Sequence, residues 1–341
     1  MDLARVSTAA VMVALPLLLP GVVSALEPLP AETAAVFRGI SPDEPPEKLT
    51  QDTHFVVSDE LRHDQFRDAV NGLGGVYIGV GTDQNYTMAA WVRPEIMVLL
   101  DFDQVVVDLH RVYSIAFTRC DDAACFIQFW AEQNRPEVLK LLKEAYPDLH
   151  QYRKVKSAFR MGQKKVHRRL SKLKQVYSWL KVPHFLTHQG QYDYLRDMFN
   201  AGRVFMVRGD LTADVTMRQL AGALKKTNMT ARVLYISNCE MYFNYNLLYR
   251  KNIWRMPIDG KSVILRTRPW REWVRNGKGK MHYLFVLQGY ENFSSWLRNR
   301  SVKTVKQLVP YRALKKGKLY LEINETLAQR RAKLRELRKA K

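Results

Sequence analysis

Several sets of residues in this 341-residue chain have the types and spacing to do chemistry. Gly79 and Gly81, in "GGVYIGVGTDQNYT", follow an apolar β-type run, and Asp83, Gln84 and Asn85 come directly after them. Glycines at a strand end let backbone N–H groups approach a ligand closely. Polar residues at the start of the next helix can line the same pocket. Asp101 and Asp103 close a second apolar run, "EIMVLLDFD", and Asp210 follows a third, "VFMVRG". An acid after the second strand can accept ribose hydroxyls. Ser237, Asn238, Glu240 and Tyr242, in "YISNCEMYF", put hydroxyl, amide, carboxylate and phenol beside a fourth strand end. Such a loop can orient a substrate or relay a proton. The bland alternatives are a tight turn at the glycines, helix capping by Asp83, Ser237 or Asn238, and strand-end solvation by Asp101 and Asp103. No residue is assigned as nucleophile or general base, and neither a Walker loop nor a G-x-S-x-G elbow is present. His184 and His188 are four apart, but Pro183 and Gly190 break the helix a metal pair needs, so no metal site is expected.

The elements that must position these residues read as alternating strands and helices. "GGVYIGV" is a buried strand, "TDQNYTMAAWV" a short helix, "EIMVLLDFD" a strand and "QVVVDLHRVYSIAF" a helix. That is a βαβ unit of a parallel sheet. A helical section follows from about residue 122 to 200. Within it Val155, Phe159, Val166, Leu170, Leu173, Tyr177 and Leu180 form one apolar stripe, with Gly162 as a candidate kink. The α/β pattern then resumes with strands at "VFMVRGD", "ARVLYISN" and "KSVILRT", and helices at "VTMRQLAGALKKTN" and "MYFNYNLLYRKNIWRM". A last strand, "MHYLFVLQ", is expected antiparallel at the sheet edge. The fold class is therefore α/β, a doubly wound, mostly parallel sheet with a basic helical insertion between the second and third strands.

This order of strand-end motifs resembles the class I S-adenosylmethionine-dependent methyltransferases. The resemblance implies that Gly79 and Gly81 lie under the amino-acid part of the cofactor, that Asp101 or Asp103 holds its ribose, and that Asp210 meets its adenine. Ser237, Asn238, Glu240 and Tyr242 would then face the substrate. Asp83, Gln84 and Asn85 join the cofactor set from the helix start. A closer resemblance covers about three quarters of the chain. "GVYIGVGTDQNYT", "GDLTADVTMRQLAGALKK", "YISNCEMYF" and "MPIDGKSVILRT" look like signature blocks of an uncharacterised, exported bacterial family with a methyltransferase-like fold. Two departures stand out: Tyr77 and Ile78 replace the acid usual at the end of the first strand, and the span between the second and third strands far exceeds a simple crossover.

Charge and termini set the context. The net charge is +21, yet residues 27–150 balance to −11 and residues 151–341 to +32. Between Asp148 and Asp193 there are eleven Lys and Arg and no acid. Lys164, Lys165, Arg168 and Arg169 are the residues expected to meet an anionic membrane surface or envelope polyanion, with nucleic acid disfavoured. Residues 1–25 read as a signal peptide, with a retained membrane anchor as the alternative. Export to the periplasm or cell envelope follows from that reading. Residues 26–60 read as an extended acidic, proline-rich leader, 61–310 as the α/β domain and 311–341 as a basic helix or tail. Cys120 and Cys125 are either a small disulfide loop or reduced thiols, with Cys239 single. Two functions lead from sequence, beside a dinucleotide-binding oxidoreductase, against which the missing third glycine and the wide gap before the third strand weigh. One is an exported transferase binding S-adenosylmethionine or a related nucleotide-like ligand. The other is a non-catalytic envelope protein on a degenerate fold, binding anionic lipid or polysaccharide through its basic half.

Overall fold

The computed structural model describes residues 26–273, 279–310 and 317–339. The expected signal or anchor, residues 1–25, lies outside the described residues, as does the start of the expected tail. Two helices, α1 (Ala31–Arg38) and α2 (Asp64–Val70), precede β1 (Val76–Val80). Then come α3 (Gln84–Val92), β2 (Ile96–Asp101) and α4 (Gln104–Arg119). The helices α5 (Ala123–Gln128), α6 (Arg135–Ala145), α7 (Leu149–Leu180) and α8 (Gln189–Asn200) separate α4 from β3 (Val204–Arg208). The second half runs α9 (Thr216–Lys226), β4 (Ala231–Tyr235), α10 (Leu247–Arg255), β5 (Val263–Trp273) and β6 (Gly279–Gly289). It ends with α11 (Tyr290–Leu297), α12 (Val305–Leu308), β7 (Tyr320–Ile323) and α13 (Leu327–Lys339).

The sheet order is β3-β2-β1-β4-β5-β6-β7. β1 pairs in parallel with both β2 and β4, so the chain reverses direction across the sheet between them. Ligands of doubly wound sheets bind at such a switch point, outside the carboxyl ends of the strands. Alternation along each strand gives the sheet two apolar faces: Val76 and Ile78 join one core layer, Tyr77 the other. Helices α3, α4, α7 and α8 cover the Tyr77 side; α1, α9, α10 and α11 cover the other. β6 is antiparallel to β5, as expected, but it is not the edge, because β7 pairs with it outside.

The predicted stripe on α7 is buried from Val155 to Tyr177, with Leu180 half-buried. The helix runs unbroken through Gly162. A Cβ there would lie 2.8 Å from Leu109 Cδ1, so the glycine lets α7 approach α4 closely. Cys120 and Cys125 are disulfide-bonded, with Cα atoms 5.4 Å apart, and Cys239 is free.

Residues 26–60 are not a loose leader. Phe37 is buried and stacks on Phe205 of β3 at 5.0 Å. The buried Asp43 carboxylate accepts the backbone N–H groups of Asp210 and Val215, each at 2.9 Å, pinning the β3–α9 turn. The composition is that of a solvated segment, but burial of its few apolar side chains and saturation of Asp43 fix it on the sheet. At the other end α13 also packs. Arg330 is buried and donates to the Leu308 carbonyl at 3.0 Å.

Candidate functional site

A cavity of about 410 Å³ opens at the carboxyl ends of β1, β2, β3 and β4. The turn after β1 supplies Gly81, Thr82 and Gln84; β2 supplies Asp101 and the turn after it Asp103; the chain after β3 supplies Asp210; and the chain after β4 supplies Ser237, Asn238 and Tyr242. The structure therefore gathers Gly81, Gln84, Asp101, Asp103, Asp210, Ser237, Asn238 and Tyr242 around one space, from four separate strand ends. Sequence reasoning missed two walls. One is the strap of residues 50–59, which contributes Phe55, Ser58 and Asp59. The other is the β5–β6 hairpin, whose long strands carry Pro269, Met281 and Tyr283 to the cavity.

Four predicted residues do not line it. Gly79 is a packing glycine: a Cβ there would lie 2.0 Å from Asn85 Oδ1. Asn85 is buried and accepts the Tyr77 hydroxyl at 2.8 Å while donating to the Thr82 carbonyl. Asp83 neither caps α3 nor meets the cavity. It is fully buried, with Oδ1 accepting Ser58 N–H at 2.9 Å and Oδ2 paired with Arg169 Nε at 2.7 Å. Glu240 is buried beneath the loop, paired with Arg266 at 2.6 Å and accepting the hydroxyls of Tyr245 and Tyr249. Arg169 is likewise a correction. It lies on the inward side of α7, with its Nη2 donating to the Glu60 carbonyl at 2.6 Å, and cannot touch an external surface. Lys164, Lys165 and Arg168 are exposed.

The cavity's electrostatics follow from its composition. Its charged lining residues are Asp59, Asp101, Asp103 and Asp210, with no Lys, Arg or His among the described residues. Asp101 accepts the Asp103 N–H at 2.9 Å. Burial raises its carboxyl to about 7, with backbone hydrogen bonds opposing and the nearby Asp103 charge reinforcing the rise. Asp103 is held twice: Oδ1 caps α4 by accepting Val105 N–H at 2.9 Å, and Oδ2 meets His54 Nδ1 at 2.8 Å. Asp210 takes the Thr212 N–H and hydroxyl on Oδ1, each at 2.7 Å.

The glycine turn is set from below. Gly81 has φ +93°, a conformation side chains avoid. Its carbonyl accepts from His110 Nε2 at 2.7 Å, which leaves Nδ1 to accept the Tyr86 hydroxyl, also at 2.7 Å. Burial lowers His110 to about 4, so the ring is neutral at pH 7. Above the turn, Gln84 folds back: its Oε1 accepts Thr82 N–H at 3.1 Å, and its Nε2 fills the space where a Gly81 Cβ would be.

A buried acid, Glu60, lies beneath the wall of the cavity without lining it. It is buried at the end of the strap and takes Ser237 Oγ and His63 Nε2, each at 2.8 Å, with the hydroxyls of Tyr235 and Thr267. Burial works against its charge, yet the hydrogen bond and charge of His63, then the Thr267 and Tyr235 hydroxyls, hold the carboxyl below its usual range. This node fixes Ser237, which has φ +48°, at the cavity wall. A carboxylate flanked by a histidine three residues on was the available signal.

Among the described residues no three His, Cys, Asp or Glu side chains are grouped to hold a metal ion. No curated protein matches the chain in sequence. A solved structure, the rRNA methyltransferase aviRa from Streptomyces viridochromogenes, is similar at 12% identity with a TM-score of 0.27, over 72% of this chain and 84% of that one. So slight a likeness adds nothing to the topology above. The profile of a domain of unknown function, DUF7790, matches residues 55–331, from the strap through β7 into α13. The chain belongs to that family.

Proposed function

We propose that the cavity binds a cationic, hydroxyl-bearing nucleoside-type ligand, that S-adenosylmethionine is the cofactor that fits it, and that the protein is a methyltransferase-like transferase. The observation that carries this reading is the lining: Asp101, Asp103 and Asp210 at the strand ends and Asp59 on the strap, with no Lys, Arg or His among the described residues. Such a site attracts a sulfonium or ammonium and repels a pyrophosphate, so a dinucleotide is disfavoured. Asp101 and Asp103 are the acceptors for ribose hydroxyls, Asp210 stands at the adenine end, and Gly81 leaves room for close approach. Gln84 already satisfies the Thr82 N–H, so the turn offers fewer donors to a ligand carboxylate. When bound, S-adenosylmethionine supplies an electrophilic methyl group. Calorimetry at pH 8 on the full chain tests the idea: the sulfonium form should bind several-fold tighter than its neutral demethylated product, and Asp103→Asn should weaken both. Silence towards both compounds, or tighter binding of a dinucleotide, removes the reading.

A second reading concerns α7 and retains the expectation of export. Its outer face carries Lys164, Lys165, Arg168 and Lys172, and Trp179 at its end is 78% exposed. An indole beside cations suits an anionic bilayer surface. Co-sedimentation with anionic vesicles, but not neutral ones, is the expected result.

A further inference from the structure

The cavity has a second chemical character at its outer end. Among the described residues eight large apolar side chains are exposed, and three of them, Phe55 (47%), Tyr242 (49%) and Met281 (43%), line this one space. They come from the strap, the chain after β4 and the β5–β6 hairpin, far apart in sequence. Exposed apolar residues scattered singly need no explanation, but a convergence on one cavity marks a binding surface. Asp59 stands among them, exposed, with the Tyr283 hydroxyl donating to its carboxylate.

We propose that Phe55, Asp59, Tyr242, Met281 and Tyr283 form an alkylammonium subsite, so that the group delivered to the outer end of the cavity carries a positively charged nitrogen. The chemistry is that of an aromatic cage. Ring faces attract a desolvated ammonium through their quadrupoles, and a carboxylate at the rim supplies the counter-charge. A neutral apolar group would gain the rings but waste Asp59, and a phosphate would be repelled by all four aspartates. The parts are rigid enough to discriminate. Asp59 lies between Ser58, whose N–H is held by the buried Asp83, and Glu60, whose carboxylate takes four donors. Tyr283 stands on β6 opposite Pro269 of β5, inside a continuous antiparallel ladder. Tyr242 and Asp59 line the same cavity wall beside Phe55 and Met281.

This inference rests on the cavity being the ligand site, not on S-adenosylmethionine being the ligand. The test is calorimetry on the full chain with choline as the probe, against its neutral isostere 3,3-dimethylbutan-1-ol. Choline should bind roughly ten-fold tighter than the isostere, and Asp59→Asn and Tyr242→Ala should each weaken it about five- to ten-fold. Both positions are exposed, so the unfolding midpoint should stay near the parent's, which separates loss of the subsite from loss of the fold. Phe55→Ala is the third arm, free of any charge change, and should weaken choline while leaving the Asp59 carboxylate in place. Equal binding of choline and the isostere, or choline affinity unmoved by Asp59→Asn, overturns the proposal. Choline binding with no response to S-adenosylmethionine would sustain the subsite and sink the cofactor reading; the reverse pattern would do the opposite.

Discussion

The cavity and the outer face of α7 carry opposite charge by different physical means. The cavity holds Asp101 and Asp103 buried, Asp210 half-buried and Asp59 exposed, each fixed by backbone N–H groups, a hydroxyl or a histidine. The helix face holds its cations in solvent, on flexible stems, over a buried apolar stripe. Net charge of +21 describes neither region. A bulk surface answers to the lysines and arginines, whereas the charges that a small molecule meets at the switch point of the sheet are, among the described residues, all acidic. The residue that marks the boundary is Arg169. One residue along from the exposed Arg168, it faces inward and neutralises Asp83 beneath the cavity floor.

Arg169 therefore gives the largest expected effect. Arg169→Met keeps the volume but leaves the Asp83 carboxylate buried without its cation, a loss of about 3–5 kcal/mol. Lys164→Met, on the exposed face five residues earlier, should change stability by no more than about 0.5 kcal/mol. Urea unfolding of the two variants breaks the comparison if they shift the midpoint equally.

Asp101 comes next, and its effect depends on pH. Its folded value of about 7 lies above the ordinary 3.8, so at intermediate pH the folded protein keeps a proton that the unfolded chain has released. Stability from this group is complete at the acid end and lost as pH rises through about 7. Asp101→Asn keeps an oxygen to accept the Asp103 N–H and removes that dependence. The variant should be more stable than the parent at pH 8, by on the order of 2–4 kcal/mol, and alike near pH 4. It should also bind cationic ligands more weakly, the exchange expected where a site stores an unfavourable charge. A parent whose stability is flat between pH 5 and 8 would show that Asp101 is ionised throughout.

The strand-helix order and the strand ends were legible because they depend on local periodicity and turn chemistry. Gly81, Asp101, Asp103 and Asp210 reached the cavity for that reason. Asp83 and Asn85 were misread because the start of α3 is buried throughout, and a polar helix start looks the same in sequence whether it meets ligand or core. Arg169 was readable: it falls beside Val166, Leu170 and Leu173 on the apolar stripe, so helical geometry turns it inward. For Glu60 and the strap the sequence offers only the weak Glu60–His63 spacing. Their placement depends on partners such as Ser237 and Thr267, far along the chain, and on a proline-rich composition that resembles a solvated segment. β7 is four residues long and owes its pairing to β6 rather than to its own pattern.

The smallest expected effect on stability is also the one that best separates the two regions. Replacing Lys164, Lys165 and Arg168 with Glu reverses charge only where side chains are already in water. Each change should cost no more than about 0.5 kcal/mol, since the buried stripe and the Arg169–Asp83 pair are untouched. Binding to anionic vesicles, which depends on a dense field of like charge, should fall steeply and in a salt-dependent manner. Choline affinity at the cavity should not move, because these exposed side chains do not line it and charges in water are screened by salt. If reversing those charges does change choline binding, the helix face and the cavity act as one electrostatic unit, and the basic surface contributes to how the cavity selects its ligand.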